Sequence, residues 1–148
     1  MLKKYLDEKN ILFLNATTKD NAISSMIDFL DENNKLLDKE SFKEAIHKRE
    51  KIISTGIGMG VAIPHAKLKE YSDFFLLIGI QKKKGINWTS LDGSLVRIIF
   101  MIGGPEDNQN KYLKILSNLT SVIKDHSLRK QLVKMKTAKS IKDLFLKI

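Results

Sequence analysis

A chain of 148 residues with 43% hydrophobic content can bury a core without covalent staples, so one globular domain over 1–148 is expected. It has no cysteine, which excludes disulfides, thiolate zinc sites and cysteine nucleophiles together. The net charge is +9, yet only Arg49, Arg97 and Arg129 among the 26 basic residues are arginine, and the lysines are scattered from Lys3 to Lys147; this favours a solvated surface over a specific nucleic-acid interface.

The N-terminus, Met1 to Lys9, mixes both charge signs before any long apolar run, which argues against a secretory signal. The longest uninterrupted apolar run, Phe74 to Ile80, is seven residues including Gly79, too short to span a membrane. A soluble cytoplasmic protein with no direct membrane insertion is expected.

In chain order, Asn10 to Leu14 is a short apolar run suited to a strand. Thr17 or Thr18 then caps a helix over 19–33, with Ala22, Ile23, Met26, Ile27 and Leu30 at helical spacing. Asp38 caps a second helix that runs to about Lys51. Its inner stripe is Phe42, Ala45 and Ile46, and Arg49 continues that stripe by one turn. The glycine-rich stretch from Ser54 to His65 follows, then a polar surface segment from Lys67 to Asp73.

Phe74 to Ile80 reads as a strand covered on both faces. Gln81 to Gly85 is a turn, Ile86 to Trp88 a brief strand or arm, and Leu91 to Gly93 a second turn. Leu95 to Ile102 reads as another central strand, interrupted by Arg97 and stopped by Gly103-Gly104-Pro105. A helix over 108–124 follows, with Leu113, Leu116, Leu119, Thr120 and Ile123 on one face. Leu128, Leu132 and Met135 begin a shorter helix, and Thr137 caps a terminal one containing Ile141, Leu144, Phe145 and Ile148. The fold class is α/β: a mixed sheet flanked by helices on both faces.

Chemistry concentrates in the glycine-rich stretch. Glycines at 56, 58 and 60 allow sharp turns and close approach, and N–H groups exposed that way can cradle an anion. Pro64 restricts Ile63 to extended conformations and so limits the directions in which His65 leaves its strand. Of the three histidines, His47 lies on a charged helix and His126 at a helix junction; both read as surface residues. No pair has metal-ligand spacing, so no metal and no cofactor is called for.

On its own, His65 reads first as a structural loop histidine hydrogen-bonded to backbone. Its neighbours favour a nucleophile: a neutral imidazole can attack phosphorus when one ring nitrogen is free and the other is held by an acceptor. Gly56, Gly58, Gly60, Ser54 and Thr55 are candidates to bind the phosphoryl oxygens, and Arg49 offers positive charge. The stretch lacks the lysine and hydroxyl of a Walker loop and does not open a helix, so nucleotide binding there is disfavoured.

Arg49-Glu50 followed by the twelve positions from Ser54 to His65 closely resembles the fructose/mannitol-type enzyme IIA domain of the phosphoenolpyruvate-dependent sugar phosphotransferase system, including its nitrogen-regulatory branch. The resemblance extends to Ile86 to Trp88, Val96 to Pro105 and the helical end from Leu113. It implies a phosphohistidine relay, in which HPr donates to His65, Arg49 steadies the group, and an enzyme IIB receives it. Many members of the family carry a second histidine where this chain has Tyr112, so Tyr112 is the candidate fourth member of the site.

The +9 charge sets a further expectation: against a basic carrier, the docking patch should be locally apolar or acidic, and lysines crowding the rim of His65 would count against such docking. With no fused membrane or IIB segment in the sequence, a stand-alone relay component is the leading reading. A regulator that binds proteins according to its phosphorylation state is the alternative, and a nucleic-acid or membrane-surface module the weakest.

Overall fold

The computed structural model describes residues 2–148; Met1, which opens the mixed-charge N-terminus, lies outside the described residues. Two 3-10 turns, Leu2–Tyr5 and Glu8–Asn10, lead into strand β1, Ile11–Leu14. Helices α1, Lys19–Glu32, and α2, Lys39–Ile52, follow. Thr18 caps α1 by accepting the Asn21 N–H at 3.2 Å, and Asp38 caps α2 by accepting those of Glu40 and Ser41. These bonds satisfy donors that the first helical turn leaves orphaned. The predicted inner stripe of α1 is buried throughout.

Five short or central strands come next: β2, Gly56–Gly58; β3, Val61–Ala62; β4, His65–Lys67; β5, Phe75–Gln81; and β6, Ile98–Gly104. Helices α3, Gln109–Lys124, α4, His126–Lys134, and α5, Ala138–Leu146, complete the chain. The sheet order is β1-β5-β6-β3-β2, with β4 also paired to β6. β1 is parallel to β5, β5 antiparallel to β6, and both β3 and β4 parallel to β6, so the sheet is mixed as expected.

Every residue of β5 and β6 is buried, because each face of the sheet is covered. Leu76, Ile78, Phe100 and Ile102 pack with α3, α4 and α5, while Leu77, Ile99 and Met101 pack with α1 and α2. Side-chain alternation along each strand divides the core in this way.

Two expectations need correction. The last strand does not run from Leu95 to Ile102: Leu95 is exposed, Val96 forms a separate bridge with Ile86, and β6 continues through Gly103 and Gly104. The glycines are strand residues that make room for aromatic rings, since a Cβ on Gly103 would lie 2.2 Å from Phe75 Cζ and one on Gly104 2.2 Å from Phe74 Cδ1. On α3, the buried face is Tyr112, Ile115, Leu119, Val122 and Ile123, whereas Leu113 and Thr120 are exposed. The stripe is rotated from the predicted one because Tyr112, not Leu113, turns into the core.

The site is positioned by a break in one sheet edge. β3 and β4 lie along the same side of β6, separated by Ile63 and Pro64. Pro64 has no N–H to give to a ladder, but its carbonyl accepts the Ile102 N–H at 3.0 Å, while the Ile63 N–H turns to Thr55 O at 3.0 Å. His65 therefore opens β4 opposite Ile102, and α2 packs against β4.

Candidate functional site

His65 is half-buried, and its Nδ1 lies 2.9 Å from the Ile63 carbonyl oxygen. A carbonyl only accepts, so Nδ1 carries the proton and Nε2 is the unprotonated nitrogen. Burial pushes the imidazole below its ordinary pKa of 6.5, and the Arg49 and Lys67 charges push the same way, against the Ile63 carbonyl and Glu50. The ring is thus held neutral and in one tautomer, the state a histidine nucleophile requires.

The cleft at His65 includes Lys48, Arg49, Ile52, Lys67 and Glu106. Arg49, in the last turn of α2, donates from Nη1 to Ile53 O at 2.8 Å, so the guanidinium closes the helix end while facing the cleft. Tyr112 stands beside the imidazole, with ring centroids 5.7 Å apart, and Lys67 Nζ sits 4.3 Å from the Tyr112 ring centre. Lys67 also donates to Gln109 Oε1 at 2.9 Å. Burial raises the Tyr112 hydroxyl pKa, partly offset by Arg49, so the phenol stays protonated.

The polar groups of the glycine-rich stretch meet partners inside the protein. Ser54 Oγ donates to Trp88 O at 2.5 Å and accepts the Gly56 N–H at 3.0 Å. Thr55 Oγ1 donates to Glu50 Oε1 at 2.9 Å. The turn through Gly58, Met59 and Gly60, all at positive φ, does present N–H groups to an anion, but that anion is internal. The Met59 N–H meets Asp92 Oδ2 at 2.9 Å and the Gly60 N–H meets Ser94 Oγ at 3.0 Å. The Ser94 hydroxyl and the N–H groups of Met59 and Ser94 hold Asp92 down to a pKa of about 2. Ser54, Thr55, Gly56, Gly58 and Gly60 do not line the His65 cleft, and the hydrogen bonds above tie their segment to Trp88, Glu50, Asp92 and Ser94.

Sequence reasoning gave Glu50 no role of its own. Its carboxylate accepts the Thr55 N–H at 3.2 Å and Trp88 Nε1–H at 3.1 Å, and pairs with Lys19 Nζ at 3.0 Å; its side chain is 5% exposed. This network ties the end of α2, and hence Arg49, to the segment that leads into His65. The adjacency Arg49-Glu50 was the available signal, but only the fold shows that the two side chains face opposite ways, one into the cleft and one into the scaffold. His47 and His126 lie outside the His65 cleft.

The rim of His65 does not meet the expectation of an apolar or acidic patch free of lysine. Ile52 and Ile53 are 74% and 56% exposed beside it, but Lys48 and Lys67 line it too, with Glu106 as the acidic residue.

Residues 4–148 match the family described as "Phosphoenolpyruvate-dependent sugar phosphotransferase system, EIIA 2". The chain is 37% identical over 144 residues to the PTS system fructose-specific EIIABC component of Bacillus subtilis, covering 97% of this chain and 22% of that protein. It is 33% identical over 98 residues to the nitrogen regulatory protein of Bradyrhizobium diazoefficiens, covering 66% of this chain and 63% of the relative. The fold is shared with nitrogen regulatory protein IIA-Ntr from Neisseria meningitidis, with TM-score 0.88 and 23% identity over 97% of this chain and 98% of that one. IIA mannitol from Escherichia coli is also similar, with TM-score 0.80 and 20% identity over 95% of this chain and 98% of that one. Among the described residues, no helix is long and apolar enough to cross a membrane.

Proposed function

The chain belongs to the EIIA 2 family of the phosphoenolpyruvate-dependent sugar phosphotransferase system, and on that premise we propose that His65 is its phosphoryl acceptor, taking the group from an HPr-like phosphohistidine carrier and passing it to an enzyme IIB. The observation that carries this reading is the Nδ1 to Ile63 O bond of 2.9 Å, which leaves Nε2 as the nucleophilic nitrogen of a neutral ring.

In the forward step the Nε2 lone pair forms the new P–N bond as the donor's P–N bond breaks, and the bonding electron pair stays on the donor nitrogen. No proton leaves His65. Nδ1–H remains on the Ile63 carbonyl, which supports the positive charge that the ring gains on phosphorylation. Arg49 neutralises the phosphoryl oxygens, and Lys48 and Lys67 add to the local field. The cationic rim thus matches a phosphoryl dianion even where it disfavours a basic carrier surface, and the exposed Ile52 and Ile53 supply the apolar contact. In the reverse geometry a IIB nucleophile attacks the same phosphorus and His65 leaves as the neutral tautomer it began as. Residues 1–148 act as one phosphocarrier domain in the cytoplasm, where phosphoenolpyruvate is made.

The test is incubation with phosphoenolpyruvate, enzyme I and an HPr-like carrier, followed by intact mass. A single acid-labile, base-stable phosphate that vanishes in His65→Ala is expected; undiminished label in that variant overturns the assignment. A second reading, a regulator whose protein binding depends on phosphorylation, is favoured by the 33% identity to the Bradyrhizobium diazoefficiens nitrogen regulatory protein. Phosphorylation adds nearly two negative charges, enough to switch a binding surface. A phospho-form that captures regulatory targets but transfers nothing to any IIB would select it.

A further inference from the structure

A second cleft lies between the turn at Met59–Gly60 and α4, and it shares no residue with the cleft at His65. Arg97, His126, Arg129 and Lys130 converge on it, so two of the chain's three arginines meet in one concavity. Among the described residues, the ion pairs are made by Lys4, Lys19, Lys39 and Lys111, and by none of these four; no carboxylate lines the cleft. The arginines are half-buried and held in place: Arg97 Nε donates to Gln81 O at 3.3 Å, and Arg129 donates from Nη1 to the Ile123 carbonyl. Each guanidinium keeps further N–H groups.

Like charges gathered without counter-ions repel one another, and a multiply charged anion relieves that repulsion. Fixed guanidinium forks suit phosphoryl oxygens in particular. The remaining walls are Met59, Leu95, Ile98 and Val133, with Met59 and Leu95 presenting exposed apolar surface. The cleft has no side-chain carboxylate or amide to receive the hydroxyls of a sugar.

We propose that this cleft binds a small organic phosphate with an apolar, hydroxyl-poor body, and not a sugar phosphate. The site is independent of the phosphoryl relay at His65: the ligand docks by ion pairing and apolar contact, and no bond is made or broken.

The experiment is a titration of the full chain, in buffer without phosphate, with phenyl phosphate, glucose 6-phosphate and inorganic phosphate in turn, followed by amide NMR shifts. Phenyl phosphate is expected to move the resonances of Met59, Gly60 and the His126 to Val133 segment, and to bind about tenfold tighter than either comparison ligand. The exposed Lys130→Gln should weaken it several-fold with unchanged melting temperature, and Arg129→Gln with Lys130→Gln by more than about tenfold. His65→Ala should bind it as the wild type does, so failure of the relay leaves this site standing. Silence of these residues at millimolar ligand, equal affinity for inorganic phosphate, shifts centred on His65, or full affinity in the double variant would each overturn the proposal.

Discussion

Nδ1 of His65 and the carbonyl oxygen of Ile63 lie 2.9 Å apart across an intervening proline. Pro64 makes this contact possible by interrupting the sheet edge, so that the Ile63 carbonyl turns to the ring instead of to a ladder partner. Long-range nitrogen–proton NMR on the unphosphorylated protein above pH 7 should show a protonated Nδ1 and an unprotonated Nε2. An Nε2–H tautomer in the folded state would contradict the nucleophile assignment.

The same ring should titrate below 6.5, its ordinary value, because burial and the Arg49 and Lys67 charges disfavour imidazolium. A folded value below the unfolded one means that stability is intact above pH 6.5 and is lost as pH falls toward the folded pKa, since only the unfolded chain readily takes up the proton. Phosphoryl acceptance should therefore persist at mildly acidic pH. Lys67→Gln removes one of the cations and should move the His65 titration upward, read from its Cε1 proton; a downward movement would show that Lys67 acts on His65 by some route other than its charge.

Glu50 accepts from Thr55 and Trp88 and pairs with Lys19 at a site where its carboxylate is almost wholly enclosed. Glu50→Ala strands the Thr55 backbone N–H, removes the Lys19 counter-charge and leaves the Trp88 indole N–H with Thr55 Oγ1 alone, and should cost about 2–4 kcal/mol in urea unfolding. Glu50→Gln should cost less, because the amide oxygen still accepts. A loss within about 0.5 kcal/mol for Glu50→Ala would mean that water replaces the carboxylate and that the network does not fix the end of α2.

The layering, the helix caps at Thr18, Asp38 and Thr137, and the placing of His65 and Arg49 in one cleft were legible in sequence because each rests on local pattern: periodicity, a capping side chain, a proline before a histidine. The contact of the glycine stretch with Asp92 was not legible, because Asp92 comes from a turn 33 residues away. Glu50 was obscured for the same reason, since its partner Trp88 is 38 residues distant. Leu113 and Tyr112 are neighbours on α3 with similar claims on the core, and only the ring stack of Tyr112 with Phe74, 5.9 Å between centres, decides which turns inward.

Gly103 and Gly104 looked like a stop and are instead the places where β6 passes beneath aromatic rings. A Cβ on Gly103 would come within 2.6 Å of Phe42 Cε1 as well as 2.2 Å of Phe75 Cζ. Neither ring is free to withdraw, because Phe42 and Phe75 pack on each other with centroids 5.5 Å apart. Gly103→Ala should cost about 1–3 kcal/mol through overpacking, measured by chemical denaturation. A neutral or stabilising result would show that the cluster on the α1 and α2 face yields more readily than its density implies.

Tyr112, the candidate fourth member of the site, has two chemistries that separate cleanly. Its ring packs on His65 and carries the Lys67 ammonium, while its hydroxyl is the part able to donate to a phosphoryl oxygen. Tyr112→Phe keeps the ring and removes the donor, so a hydroxyl that stabilises the transferring group predicts phosphorylation slowed about tenfold with unchanged stability. Tyr112→Leu removes the platform as well, freeing Lys67 and opening the imidazole to water, and should raise the His65 pKa toward 6.5 as burial is lost. If Tyr112→Phe transfers at the wild-type rate while Tyr112→Leu is slow, the aromatic face acts by positioning His65 and Lys67 and the hydroxyl is a bystander. If both are slow and only Tyr112→His restores the rate, a hydrogen-bond donor at this position is what the relay needs, supplied here by a phenol that cannot carry positive charge.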